Sequence, residues 1–266
     1  KVMKEGGIPT FRFPDQMVRT MRYMVEPPAA SAETRGCRTR VSTRAAARAL
    51  LENARPDAYL DADTCFRLLS LYGIPLAESC YLPCGGDPRS LKMDYPVVAK
   101  IDHPDIVHKS DVGGVRIGIR SGEELTALLE EWTAKFPGLR GIHVQQQITG
   151  DLEMIIGASL DPALGHSVLT GLGGTLVELY KDVAFGHVPL SAADPARMLD
   201  SLRCRPLLTG YRGSQPVDIQ RLKTIIMRVN QLLLDFPAIR EMDINPLIFD
   251  RSRGEFFAVD ARIKLS

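Results

Sequence analysis

Two groups of residues in this 266-residue chain have side chains whose types and spacing suit phosphate chemistry. The first is Lys100, directly after the apolar run Pro96-Val97-Val98-Ala99, with the polar loop that carries His108, Lys109, Ser110, Asp111, Gly113 and Gly114. Lysines at a strand end and in a glycine loop offer fixed cations. Paired glycines let backbone N–H groups approach an anion without a Cβ in the way. The second group is Asp243, Asn245 and Asp260. Asp243 and Asn245 are two apart, so in a strand both side chains leave on one face. Two carboxylates and an amide oxygen are hard donors of the kind Mg²⁺ takes beside phosphate oxygens. Each group alone also reads as a hairpin with a glycine turn and solvated lysines, or as a hairpin with polar edge residues. Phosphoryl chemistry requires a cationic cradle and a metal together, so the two groups strengthen one another.

The elements that must position these groups follow from periodicity. Val97–Ala99 reads as a buried strand and Val115–Ile119 as a second strand after the loop. Strand, glycine loop, strand is not a Walker A motif, which needs a glycine four residues before Gly-Lys-Ser/Thr and a helix after it. Helices are predicted over 45–53, 61–72, 123–135, 194–201 and 218–235. In the second, Asp61 or Asp63 caps, Cys65, Leu68, Leu69 and Tyr72 form the buried side, and Gly73 ends it. Further strands are predicted over 74–82, 142–148, 153–159, 167–170, 175–179, 242–249 and 256–260, with a glycine loop at Gly171-Leu172-Gly173-Gly174. Residues 1–26 read as the tail of an upstream domain, with Met17, Met21 and Met24 on one helical face. Residues 27–44, rich in Pro, Ala, Ser, Thr and Arg, read as a linker. A first lobe is expected over 45–140 and a second over 141–266.

Composition narrows the function classes. Hydrophobic residues make up 45%, and 33 basic residues against 32 acidic ones give no electrostatic case for nucleic-acid binding. No apolar run approaches the roughly 18–20 residues of a membrane span, and the opening KVMKEGGIPTF has no apolar signal-peptide core. The five scattered cysteines suggest reduced thiols in a cytoplasmic protein; Cys80 and Cys84 lack the second pair or histidine cluster of a zinc site.

Taken in order, PVVAK, DIVHKSDVGGV, GLGGTLVELYKDV, GYRG, DFPAIREMDINPL and AVDAR form a specific set. Over residues 56–265 the chain resembles the ATP-grasp (β) portion of nucleoside-diphosphate-forming acyl-CoA synthetases, akin to succinyl-CoA synthetase β subunits. Residues 6–25 resemble the end of the CoA-ligase domain that precedes this portion in fused members. The resemblance implies an α+β ATP-grasp fold, with two lobes clasping a nucleotide and a short remnant of the CoA-ligase domain in front. It implies the reaction acyl-CoA plus ADP plus phosphate giving acid, CoA and ATP, through a phosphohistidine. The implied cofactors are ATP or ADP and Mg²⁺. The implied partner is an α portion with CoA-binding and CoA-ligase domains, in an oligomeric assembly. On this resemblance Lys100 contacts the nucleotide phosphates, the loop from Lys109 to Gly113 and Gly114 covers them, and His108 is a phosphorylatable histidine. Asn245 and Asp260 hold Mg²⁺, Asp243 steadies the incoming phosphohistidine, and Glu178 and the segment Val144 to Gln147, with Gln146, lie near the nucleotide. The chain departs from the pattern in three places: Gln146 replaces the usual hinge glutamate, Gly186 or His187 stands where an arginine is usual, and the stretch from Leu82 to Tyr95 is short. A degenerate ATP-grasp module serving a fused acyltransferase-type protein as a regulatory or scaffold part is the alternative these departures favour.

Overall fold

The structure is a computed structural model that describes residues 41–52, 54–106, 109–174 and 182–266. The expected domain tail, most of the linker and the strand predicted at 175–179 lie outside these residues.

Helix α1 (Val41–Leu51) starts inside the predicted linker. Its alanine-rich centre, Ala45 to Ala47 and Ala49, has the highest intrinsic helix propensity, which outweighs the polar residues before it. Helix α2 (Ala62–Leu71) begins where the sequence suggests: the Asp61 carboxylate accepts from the Thr64 N–H at 2.9 Å, and Cys65, Leu68 and Leu69 are buried. Strand β1 (Ser79–Pro83) is shorter than the predicted 74–82. The preceding residues instead run beside β9 (Glu255–Ala258), with Ala77 N donating to Ala258 O at 3.1 Å and Ala258 N to Pro75 O at 2.9 Å.

A four-stranded antiparallel sheet has the order β1-β4-β2-β3, built from β2 (Val97–Asp102), β3 (Val115–Ile119) and β4 (Gly141–Gln146). Helix α3 (Gly122–Lys135), capped by Ser121, covers one face and buries Leu125, Leu128, Leu129 and Trp132 against Val97, Ala99, Ile101, Ile142 and Val144. The larger sheet has the order β10-β8-β5-β6-β7, with β9 also paired to β8. Its strands are β5 (Glu153–Asp161), β6 (Gly165–Leu172), β7 (Val183–His187), β8 (Ile239–Asp250), β9 and β10 (Ala261–Leu265). Helices α4 (Asp194–Asp200), α5 (Arg205–Thr209) and α6 (Ile219–Asp235) contribute to its core. The face of α6 formed by Leu222, Ile225, Ile226, Val229, Leu232 and Leu233 is buried as its 3–4 spacing predicts.

The packing corrects the expected lobe division at two places. Ala47, Cys65, Leu68, Leu69, Tyr72 and Ile74 belong to the core of the larger sheet, so α1 and α2 do not join the smaller one. Strand β4, expected to open the second lobe, is an inner strand of the small sheet, with β1 on one side and β2 on the other. The cause is the same in both cases. An apolar face goes to the core whose surface it completes, and periodicity marks the face without naming that core.

Candidate nucleotide-binding site

Val97, Ala99 and Ile101 of β2 turn into the small core, so the two-residue period sends Lys100 to the opposite face. That face meets the corner between β9 and β10. Lys100 Nζ donates to the Val259 carbonyl at 2.5 Å and to Gln145 Oε1 at 3.0 Å. Both acceptors are neutral, so they satisfy the donors without balancing the charge. Burial holds the Lys100 ammonium below its ordinary pKa, with Asp260 opposing and Lys109 adding to the effect. Lys109 is also pushed down by burial; Asp260 and Asp102 oppose this and Arg262 adds to it. Two half-buried cations thus stand together with Asp260 as partial counter-charge, an arrangement chemically suited to an anion.

The loop that carries Lys109 is shaped by its glycines. Gly114 N donates to the Lys109 carbonyl at 2.7 Å, and Gly113 N to the Ser110 carbonyl at 3.1 Å. Gly113 has φ +72°, in the left-handed region. A Cβ on Gly114 would lie 2.5 Å from Ile101 Cδ1 and 3.0 Å from the Lys109 carbonyl oxygen. The pair therefore fixes where Lys109 stands relative to β2.

The hard-oxygen group is gathered by the larger sheet. Asn245 on β8 donates its backbone N–H to the Asp260 carbonyl at 3.1 Å, which brings the two side chains to one corner. Asn245 Oδ1 accepts from Gly174 N at 3.0 Å, and Asp260 Oδ1 from Ala261 N at 3.0 Å. Asp243, two residues earlier on β8, stands in register with Arg262 of β10. Burial raises the Asp243 carboxyl, with Arg262 opposing and Asp260 adding. Among the described residues no three His, Cys, Asp or Glu side chains converge on a metal position. A carboxylate and an amide oxygen, completed by phosphates and water, instead match the sparse protein ligation of Mg²⁺. The donor set fits that ion.

Of the remaining sequence-predicted site residues, Val144 is buried in the small core, on the inner strand β4 between β1 and β2. Gln146 is held from the other sheet: Arg253 Nη1 donates to its Oε1 at 3.0 Å. His108 and Glu178 lie outside the described residues. Gly186 sits on β7 where an added Cβ would meet Leu190 Cδ2 at 2.6 Å and Met198 Sδ at 2.9 Å. Both atoms belong to flexible side chains, so a larger residue at this position requires Leu190 and Met198 to shift. Three contributors escaped the sequence reading: the Val259 carbonyl, the Gly174 N–H and Arg262. Each is set by strand pairing across long sequence separations.

Two sheets that meet over buried lysines, a glycine loop and a hard-oxygen corner define a nucleotide-clasping ATP-grasp domain. The family model described as "ATP-grasp domain" matches residues 49–265. The chain is 37% identical over 208 residues to the β subunit of acetate–CoA ligase [ADP-forming] I of Pyrococcus furiosus, covering 74% of this chain and 88% of that one. It is 29% identical over 266 residues to 4-hydroxybutyrate–CoA ligase [ADP-forming] of Nitrosopumilus maritimus, but spans only 38% of that longer protein. Acetyl-coenzyme A synthetase 1 of Ca. Korarchaeum cryptofilum, solved with coenzyme A, Ca-AMPCP and HgCl+, superposes with a TM-score of 0.74 at 36% identity, covering 84% of this chain and 100% of that chain. This chain belongs to the ATP-grasp family of ADP-forming acyl-CoA ligase β subunits. These relatives favour the ligase over the scaffold alternative.

Proposed function

We propose that this chain handles the nucleotide and transfers the phosphoryl group in an acid–thiol ligase that converts acyl-CoA, ADP and phosphate into acid, CoA and ATP. The observation that carries the reading is Lys100. Its amine sits between the two sheets, bonded among the described residues only to neutral acceptors, with Asp260 as its nearest opposing charge. Binding a polyphosphate there replaces an unbalanced charge with a compensated one.

Lys100 and Lys109 take the phosphates, and the Gly113-Gly114 turn holds the covering loop in place. Asn245 and Asp260 would hold Mg²⁺, which would supply charge neutralisation for the phosphate oxygens. His108 receives the phosphoryl group. Its neutral ring nitrogen attacks the γ-phosphorus, an N–P bond forms, and the bond to the β-phosphate oxygen breaks as ADP leaves; the reverse step makes ATP. Asp243 steadies an incoming phosphohistidine of the partner. Val144 and Gln146 line the hinge through backbone and amide groups, with Glu178 beside the nucleotide. The partner is an α portion with CoA-binding and CoA-ligase domains, in cis or in trans, within an oligomer. A relative solved with Mg-AMPPCP has its phosphohistidine segment pointing towards the nucleotide-binding site, which supports this order of events. Among the described residues no helix is long and apolar enough to cross a membrane, and Cys65, Cys80, Cys84 and Cys204 are free thiols, in keeping with a reducing, cytoplasmic setting.

The test is incubation of the chain with γ-labelled ATP and Mg²⁺, beside His108→Ala. An acid-labile label lost in the variant supports the relay. ATP binding without label moves the acceptor histidine to the α portion. Absence of both binding and label refutes the nucleotide function.

A further inference from the structure

The smaller sheet presents a second nitrogen base to the cleft, His143, which the reaction outlined above does not use. Ile142 and Val144 on either side are buried in the small core, so His143 and Gln145 leave on the same face as Lys100. Antiparallel register places His143 directly opposite Lys100 on β2 and directly opposite Tyr81 on β1. Residues so paired have Cβ atoms about 5 Å apart. The Tyr81 ring packs against the imidazole, with centroids 5.0 Å apart and planes at 56°. Tyr81 OH is turned away, donating to Asp102 Oδ2 at 3.2 Å. Among the described residues neither ring nitrogen of His143 has a hydrogen-bond partner, so an oriented imidazole stands beside two buried lysines with its donor capacity unused.

We infer that His143 is a third phosphate-binding group of the nucleotide site, becoming protonated and hydrogen-bonded to a phosphate oxygen when a nucleoside polyphosphate enters. The inference rests on the nucleotide reading above and adds a residue and a proton to it.

The charges around the ring set the direction. Lys109 from the loop and Lys100 from β2 disfavour imidazolium, while Asp102 from β2 and Asp63 from α2 favour it. Burial is the largest influence, and the sum lowers the pKa of the empty site, so the ring is neutral at physiological pH. A polyphosphate reverses the balance by bringing several negative charges against the two lysines. The folded, liganded pKa then lies above the unliganded one, and binding takes up a proton at any pH between them. The gain is lost as pH rises above the liganded value.

Calorimetry of Mg-AMPPNP binding to the full chain tests this, in two buffers of different ionisation enthalpy at pH 6.5 and pH 8.5. The proteins compared are wild type, His143→Leu, His143→Gln and Lys100→Met, each checked for folding by thermal melting. Wild type is expected to take up more protons than either His143 variant at pH 6.5. Its affinity should exceed theirs by about tenfold there, the scale of one charge-assisted hydrogen bond, and the advantage should shrink towards unity at pH 8.5. Equal proton uptake and affinities within twofold in wild type and both His143 variants, with Lys100→Met still weakened, overturn the role of His143 alone. No binding by wild type at either pH overturns the nucleotide reading and this inference with it. His143→Gln is there in case His143→Leu does not fold.

Discussion

Lys100→Met separates the nucleotide role of the buried lysine from its structural one. The substitution keeps the length of the side chain and removes its charge and donors. In the empty protein two effects oppose. Removing a buried ammonium relieves a desolvation cost of several kcal/mol, while Gln145 Oε1 and the Val259 carbonyl each lose a donor, at about 1–3 kcal/mol each. They are similar in size, so the melting temperature at pH 7 should move little. Binding has no such cancellation. The loss of a charge-assisted phosphate contact, about 1.5–3 kcal/mol, should raise the Kd for Mg-ATP by about one to two powers of ten. A pH signature accompanies this. The pKa of Lys100 is lowered in the folded chain. Between that value and the ordinary value of about 10.4, the unfolded chain holds a proton that the folded chain lacks. Stability therefore rises with pH across that window, and the burial penalty is fully present below it. Lys100→Met should flatten that rise. The assays are calorimetric titration with Mg-ATP and thermal melts from pH 7 to pH 10.5. A variant that melts far lower yet binds Mg-ATP within twofold of wild type would make Lys100 a structural tie between the sheets and refute the reasoning.

Three further outcomes are expected. Gly114→Ala forces a Cβ against Ile101 and the Lys109 carbonyl, costing about 1–3 kcal/mol and weakening Mg-ATP binding by shifting Lys109; paired denaturant and binding titrations would show both. Asn245→Ala and Asp260→Ala should each raise the Mg²⁺ concentration needed for half-maximal ATP binding by about tenfold or more, measured by Mg²⁺ titration at fixed ATP, with a smaller effect on Mg²⁺-free binding. Gly186→Arg should destabilise the chain modestly, because the side chains of Leu190 and Met198 must shift to admit the new one; a fall in melting temperature of about 2–4 °C per kcal/mol lost is the readout.

The sequence alone determined what depends on neighbours a few residues away. Asp61 and Ser121 cap their helices through side chains that reach N–H groups three residues on, and α3 and α6 bury the stripes that their 3–4 spacing marks. The glycine turn after Lys100 was legible for the same reason, as was the shared face of Asp243 and Asn245. The tertiary structure decided everything that depends on which distant strand lies alongside. Lys100 meets the Val259 carbonyl across 159 positions, Asn245 meets Gly174 across 71, and Arg253 reaches Gln146 across 107. No local period encodes those pairings. The same holds for the placement of α1 and α2 on the larger sheet and of β4 inside the smaller one. A two-residue alternation tells which side of a strand is apolar, and the core that covers it is chosen by shape and by backbone hydrogen bonds formed only on folding. His143 shows the limit most plainly. In sequence it is a lone histidine in a strand, and only strand pairing sets it opposite Lys100.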